Sequence, residues 1–414
     1  MRKNRKTLPL TAVAFAAGAT AGFGAPSLQR IAYLTPQSGD VAISRDGATL
    51  IGNTNIESAG FGIPLSNVFT WRPSEGFRNH SSVYWLSNPQ SSADGSIVAG
   101  SMRSASGFFQ PRGAFRWDTQ TDQISVPPSS TSTTYGLALT PDGNTIVYSN
   151  WGARMWNGNT ERVLTTTGNY TSGCISDDAN AVGLIEYYGH SASRWTLAGG
   201  LKALPFPPGV ALGDISLVMS ADGSQMFACG YRDGEVLLVR WTFDHADNAS
   251  ADVLFVGPRG NWAQVAGTTT DGSLVAFYAN GRSFVWIDGM GTMDLDAYLV
   301  SKGAVAPQPA PRQVRGMSGN GLAFAGVQAV EGGYDAWYVN LNPGAKQFCP
   351  ADLNYDGNVD DADFVRFASM YDTGFCEMGF PPSQSPCADF NGDTSVDDAD
   401  FVLFVSAYET FVCP

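Results

Sequence analysis

From Arg30 to Leu341 the apolar positions alternate with polar ones in short runs, and the runs are joined in pairs by a recurring polar phrase. The phrase reads A-I-S-R-D-G-A-T-L-I-G, Q-S-S-A-D-G-S-I-V-A-G, A-L-T-P-D-G-N-T-I-V-Y, C-I-S-D-D-A-N-A-V-G, V-M-S-A-D-G-S-Q-M-F-A, G-T-T-T-D-G-S-L-V-A-F and R-G-M-S-G-N-G-L-A-F-A-G. Alternation of period two predicts half-buried strands, and Asp-Gly between two such runs predicts a tight hairpin whose two central residues both take φ > 0. The turns centre on Asp46, Asp94, Asp142, Asp178, Asp222, Asp271 and Asn320, at intervals of 36 to 49 residues.

Each turn is followed 14 to 25 residues later by a tryptophan closing another apolar strand: Trp71, Trp117, Trp156, Trp195, Trp241, Trp286 and Trp337. One hairpin plus a further strand pair per repeat matches a four-stranded propeller blade, and seven repeats predict a mainly β, seven-bladed β-propeller over residues 30–341. The tryptophans are expected to fill the space between blades. A solenoid or double sandwich would show the same hairpins, because hairpins alone do not reveal closure. The wording A-F-R-W-D at 114–118, A-S-R-W-T at 192–196 followed by G-G-L-K-A-L, and M-D-L-D-A-Y-L at 293–299 resembles the HAF-type extracellular repeat, and the Asp-Gly strands resemble those of TolB-like propellers. Both resemblances imply a fold and no particular activity.

The pattern changes after a short linker at 342–348. Asp352 to Asp363 reads D-L-N-Y-D-G-N-V-D-D-A-D, and Asp389 to Asp400 repeats it as D-F-N-G-D-T-S-V-D-D-A-D. A twelve-residue calcium loop takes oxygen ligands from positions 1, 3, 5, 7, 9 and 12. The first copy offers Asp352, Asn354, Asp356, the carbonyl of Asn358, Asp360 and Asp363; the second offers Asp389, Asn391, Asp393, the carbonyl of Ser395, Asp397 and Asp400. Gly357 occupies the sharp turn at position 6 of the first loop, whereas Thr394 occupies it in the second, so the second Ca2+ site is expected to be the weaker. Apolar residues at Phe364, Phe367, Ala368 and Tyr371, and again at Phe401, Phe404, Val405 and Tyr408, predict one amphipathic helix after each loop. Ligands, helix faces and the cysteines Cys376 and Cys413 all repeat with an offset of 37 residues.

Loop plus following helix, twice, resembles a type I dockerin over residues 349–414. The resemblance implies a small α-helical module that binds two Ca2+ and docks onto a cohesin-like protein. In dockerins partner choice leans on loop positions 10 and 11, which here are Asp361 with Ala362 and Asp398 with Ala399, unlike the usual hydroxyl or apolar residues.

Charge is concentrated in this module. Residues 349–414 hold 13 Asp or Glu against the single Arg366, giving −12 of the formal −14. The remainder is nearly neutral, which disfavours nucleic acid as a partner. Arg2, Lys3, Arg5 and Lys6 precede an apolar run from Leu8 to Ala21 ending in Ala19-Thr20-Ala21, the pattern of a secretory signal over residues 1–21. That run is too short to span a bilayer, and no other segment is long enough. The mature protein is expected outside the cytoplasm without a membrane span. Four of the six cysteines lie in the small module, as expected in an oxidising compartment. Bridging one repeat would mean spanning a helix of roughly 15 Å against the ~7 Å limit between bonded Cα atoms, so Cys376 with Cys387 and Cys349 with Cys413 are the expected pairs. Cys174 and Cys229 are expected as buried thiols.

Catalytic signals are sparse. His80, His190 and His245 stand in unrelated contexts and are expected on the surface or in loops, with no zinc-ligand spacing between them. There is no G-x-S-x-G elbow or P-loop, and Glu57, Glu75, Glu161, Glu186, Glu235 and Glu331 are scattered with no visible pairing. Two functions remain. One is a secreted non-catalytic propeller that binds a glycan or protein and is attached through its calcium module, in a setting of polysaccharide utilisation. The alternative is a dockerin-bearing carbohydrate-active enzyme with the propeller as catalytic domain. A ring of carboxylates in the central channel would favour the second, a plugged or apolar channel the first.

Overall fold

The computed structural model describes residues 28–34, 41–55, 66–73, 75–84, 86–102, 113–130, 135–186, 191–258, 262–304, 312–330, 333–342, 361–373 and 396–410. The expected signal segment, residues 343–348 of the linker and all four module cysteines lie outside these residues.

Seven antiparallel four-stranded sheets form the large domain. Their innermost strands are Val41–Ile43, Leu86–Ser91, Tyr135–Leu139, Tyr170–Ile175, Ala211–Met219, Ala263–Thr268 and Arg312–Met317. Each contacts the next around the ring, and the seventh contacts the first. The expected seven-bladed propeller is therefore present and closed. Closure comes from a strand without a turn phrase of its own: Gln29–Leu34 pairs antiparallel with Gly333–Asn340 and supplies the outermost strand of the seventh blade. Small residues occur where the inner strands converge. A Cβ on Gly136 would stand 2.3 Å from the Gly100 carbonyl oxygen of the preceding blade, and one on Gly316 would stand 2.7 Å from Ile43 Cγ2 of the first.

The seven tryptophans sit on third strands and pack as expected. Trp117, Trp241 and Trp337 are fully buried, and Trp156, Trp195 and Trp286 nearly so. Trp241 donates from Nε1 to the Pro205 carbonyl of the preceding blade at 2.6 Å, and Trp71 lies 5.0 Å from the Tyr338 ring of the last blade. A buried aromatic of this size contributes about 1.5–3 kcal/mol by leaving water, which makes the blade junctions the main apolar core.

The hairpin turns differ from the sequence expectation. Only the second central residue takes positive φ: 77° at Gly47, 73° at Gly95, 72° at Gly143, 57° at Ala179, 71° at Gly223, 75° at Gly272 and 68° at Gly321. The loop has four residues, a type I turn followed by a left-handed one: the Ser44 N–H bonds the Thr49 carbonyl at 2.8 Å, and the Gly47 N–H returns to the Ser44 carbonyl at 2.9 Å. The aspartate acts through its side chain instead. Asp46 Oδ1 accepts from Ser44 Oγ at 2.5 Å and from the Ala48 N–H at 2.7 Å, while Ser44 Oγ accepts the Thr49 N–H at 2.8 Å. The same hydroxyl-to-carboxylate bond recurs at Ser92, Thr140, Ser176, Ser220 and Thr269, and Ser318 makes it to the Asn320 amide oxygen.

Two further helices, α2 at Asp361–Thr373 and α3 at Asp398–Thr410, follow a short α1 at Leu295–Ser301. Helix α1 is capped by Asp294, whose carboxylate accepts the Asp296 and Ala297 N–H groups.

Candidate functional site

The turns end in a hydrogen-bonded ring around the propeller axis. Asp46 donates its N–H to the Ala93 carbonyl at 2.9 Å, Ala93 to Pro141 at 2.6 Å, Asp177 to Ala221 at 2.9 Å, Ala221 to Thr270 at 2.7 Å, Thr270 to Gly319 at 2.9 Å and Gly319 to Arg45 at 2.7 Å. The missing link is from the third blade to the fourth, where Pro141 has no N–H to give. Inside this ring Arg45 reaches from the first blade to Asp177 of the fourth, with Nη1 to Oδ1 at 2.5 Å. Both side chains are under one-fifth exposed, so this pair bars the turn end of the channel.

Behind the bar lies a cavity of about 220 Å3, lined by inner-strand residues of every blade. Most of the lining is small or apolar, including Ala138, Gly173, Cys174, Met219, Ala266 and Met317. Its charged members are Arg45, Asp177 and Arg315. Six of the seven inner strands carry a register shift against the second strand of their blade, and on Arg312–Met317 the ladder runs from Val314 directly to Gly316. The bulge leaves Arg315 off the ladder and turns it toward the axis, the local re-aiming that bulges produce. Cys174 and Cys229 are free and buried, as expected. Burial pushes the Cys229 thiol up to about 12 and the Cys174 thiol up as well, so neither is a nucleophile near neutrality.

His80 corrects a second expectation. It is buried on the strand Gly76–Tyr84, not placed on the surface. Its Nε2 lies 2.9 Å from Thr70 Oγ1 and its Nδ1 3.0 Å from Asp122 Oδ1, which also accepts Trp117 Nε1–H at 3.2 Å. The order hydroxyl, imidazole, carboxylate is that of a hydrolytic triad. Here the hydroxyl is buried and the imidazole stacks edge-on against Trp117 at 4.6 Å, so the relay fastens the first blade to the second. Desolvation lowers the His80 pKa against the pull of Asp122, and the ring is held neutral.

The four described glutamates of the propeller do not meet in the channel. Glu75 pairs with Arg72 and Glu235 with Arg232, each three residues away. Glu161 accepts from Tyr148 Oη at 2.6 Å, Ser129 Oγ at 2.8 Å and Arg154 Nη1 at 2.6 Å, a knot at the edge of the third blade. Glu186 accepts from Ser191 Oγ at 3.2 Å, and Glu57 and Glu331 lie outside the described residues.

Of the twelve expected calcium ligands, Asp352, Asn354, Asp356, Asn358, Asp360, Asp389, Asn391, Asp393 and Ser395 lie outside the described residues. Asp363, Asp397 and Asp400 are described. The two position-12 carboxylates, Asp363 and Asp400, are fully buried. Asp397 caps α3 through the Ala399 N–H at 2.9 Å, and Asp400 Oδ2 accepts the Asp397 N–H at 3.0 Å. The helices run antiparallel, with Phe364 near the start of α2 against Tyr408 near the end of α3, and Tyr371 against Phe401. Phe367 and Phe404 stack at 4.8 Å on the approximate two-fold axis. Tyr371 donates its hydroxyl to Asp398 and Tyr408 donates its hydroxyl to Asp361, the same contact made in both directions. Both acids stand at loop position 10, so each repeat holds the other's. The 37-residue offset relates the two contacts to each other, but which residues meet across the repeats was not read from the sequence.

No family model and no curated protein sequence matches the chain. Solved structures similar to it include the β-propeller domain of Cps50 (Swd1) from Myceliophteria thermophila, at 12% identity and a TM-score of 0.49 over 75% of this chain and 97% of that one. An oligogalacturonate lyase in complex with manganese matches at 12% identity and 0.49 over 75% and 89%. TolB from Acinetobacter baumannii matches at 12% identity and 0.40 over 76% and 96%.

Proposed function

We propose that this chain is a secreted, non-catalytic propeller that binds through its channel face and is attached by its C-terminal module to a cohesin-like partner outside the cell, in a setting of polysaccharide utilisation. The observation that carries the binding half is the cross-channel pair. Glycoside hydrolysis on a propeller needs two carboxylates facing one substrate across roughly 5–10 Å. Among the described residues lining the cavity the carboxylate is Asp177, and Arg45 already engages it.

The attachment half is supported by the duplicated loop pattern together with the buried Asp363 and Asp400. A fully buried carboxylate at the last ligand position of each loop fits a site for a hard cation, and Asp397 and Asp400 are already fixed at the α3 N-terminus. Bound Ca2+ would offset half the charge of the four aspartate ligands of each loop and draw them together, where their mutual repulsion otherwise opposes folding of the segment. The reciprocal tyrosine contacts then pass order from one repeat to the other.

Calorimetry of the whole protein with Ca2+ and with chelator tests this. At a calcium level 100 times the dissociation constant each site adds about 2.7 kcal/mol to the module transition. Equal melting under both conditions removes the calcium reading. Incubation with a panel of polysaccharides tests the other half: released sugars that vanish in Asp177→Asn would make the channel catalytic.

A further inference from the structure

Trp151 occupies a backbone position that disfavours it and a surface position that does not bury it. It lies at the tip between the second and third strands of the third blade, Ile146–Ser149 and Ala153–Trp156, and so on the face opposite the ring of turns and its Arg45 to Asp177 bar. Among the described residues six other than glycine take positive φ, and four of them are Asp122, Asp233, Asp247 and Asn280. Ala179 is small, which leaves Trp151, at φ 49°, as the one large side chain of the set. A Cβ strains the left-handed backbone, and Asp or Asn relieves the strain through local hydrogen bonds that an indole does not make. The corresponding tips of the fifth and sixth blades carry Asp233 and Asn280, at φ 48° and 50°. Burial does not offset the strain at Trp151, because the side chain is 79% exposed, more than any other large apolar side chain among the described residues. Strain kept at an exposed position points to a use outside the fold.

The tip is held still from both sides. The Asn150 N–H donates to the Gly152 carbonyl at 2.9 Å, and the Asn150 side-chain amide donates to the Ser129 carbonyl in the connection from the second blade. On the other side a Cβ on Gly152 would stand 2.2 Å from the Thr165 carbonyl oxygen, in the connection to the fourth blade. The indole is therefore carried on a backbone wedged between two connections, and a ligand stacking on it has little chain to order. The flanking segments offer hydroxyls: Ser129 and Ser130 on one side, Thr165, Thr166 and Thr167 on the other, with Thr166 and Thr167 exposed. They carry no charge, and the ion pair of the same blade, Arg154 with Glu161 at 2.6 Å, is closed on itself.

From this geometry we infer that Trp151 is the stacking platform of a binding site for uncharged sugar units of a glycan, on the propeller face opposite the turn ring. The C–H groups on one side of a pyranose present a weakly positive plane to the negative face of an indole, and the hydroxyls at the rim of the sugar pair with side-chain hydroxyls such as those of the threonines. A protein partner would call for further apolar side chains around the tryptophan, and an anionic ligand for a cation beside it. The segments flanking the tip supply neither. The inference rests on the reading of the propeller as a binding domain and deepens it by naming the ligand class and the residue that receives it.

The test is titration calorimetry of the whole protein with cellohexaose, xylohexaose and mannohexaose, beside urea melts of the variants. Saturable binding of at least one of the three, weakened at least tenfold in Trp151→Asn and less in Trp151→Phe, which keeps an aromatic face, supports the site. Asparagine suits the left-handed backbone, so Trp151→Asn is expected to unfold at the same urea concentration as the parent chain or at a higher one. A lower midpoint would show that the indole holds the fold together, and overturns the inference. Binding of none of the three sugars overturns it as well, as does binding that Trp151→Asn leaves unchanged. That last result keeps the propeller as a binding domain and moves the site elsewhere, whereas sugar release that vanishes in Asp177→Asn removes the non-catalytic reading and leaves the platform standing. Failure here and failure of the reading beneath it are thus separately visible.

Discussion

Ala179 takes the position that glycine holds in the other six turns, at φ 57°. A left-handed backbone costs a residue with a Cβ about 1–2 kcal/mol, and the small gain from the half-buried Ala179 methyl offsets only part of it. Ala179→Gly is expected to stabilise the propeller by about 1 kcal/mol in urea melts, with hairpin and ring unchanged. Asp46 shows a second difference among residues that read alike. Burial pushes its carboxyl up to about 7, helped by the charge of Asp94, although Ser44 and Ala48 bond it. Asp178, Asp222 and Asp271, in the same phrase, are held below the usual range: burial pushes each up, but the hydroxyl of Ser176, Ser220 or Thr269 together with the bonds from Asn180, Ser224 or Ser273 outweighs it. For Asp46 the native state prefers the neutral acid, so its stability contribution is full below the unfolded value near 3.9 and is lost as pH rises toward 7. Asn320 does the same structural job with an amide. Asp46→Asn should therefore leave melting near pH 4 unchanged and stabilise by at least about 1 kcal/mol at pH 8. The Ser/Thr two residues before each turn acid was present in all seven phrases and identifies the side-chain hub. Which aspartate titrates abnormally depends on what the neighbouring blade places over it, and no local pattern carries that.

Elements divide the same way. Hairpins and tryptophan strands were legible because each needs only its own residues: alternation, a turn that accepts φ > 0 once, and an apolar face. What was not legible is produced where one blade meets another. The bulges that aim Arg315, the Arg45 to Asp177 bar between the first and fourth blades, and the burial of His80 all need the ring to be assembled first. His80 gives the junction of the first two blades a measurable pH dependence. Its native pKa is lowered while the unfolded chain titrates near 6.5, so the unfolded state takes up the proton first as pH falls. Stability is full above 6.5 and declines below it. Melting temperature should fall between pH 7.5 and 5, and His80→Gln, which keeps a polar group without titrating, should flatten that part of the profile. An unchanged slope in the variant would place the acid sensitivity elsewhere.

At the scale of the whole molecule the decisive contact is the one that joins the first and last strands of the propeller around the ring. The strand Gln29–Leu34 carries no turn phrase and no tryptophan, so although the propeller was expected to begin at residue 30, nothing in this strand announced which blade it joins. Seven copies on seven sheets would leave the last sheet with three strands and an open edge at Gly333–Asn340. The N-terminal strand fills that edge, from Gln29 opposite Tyr338 to Leu34 opposite Tyr334. An exposed edge of this length presents a row of unpaired N–H and C=O groups, which invites pairing with another chain. Closure by a strand remote in sequence also couples every blade to every other, since no blade can leave without opening the ring. A chain beginning at residue 41 is therefore expected to lose cooperativity in urea, with a lower midpoint and a shallower transition, and to form larger species by size-exclusion chromatography that the full chain does not. Adding back a peptide of residues 28–35 in excess should reverse part of both effects by occupying the vacated edge. A truncated chain with the midpoint and elution of the full protein would show that the inner ring of hydrogen bonds, and not the outer strand, holds the propeller shut.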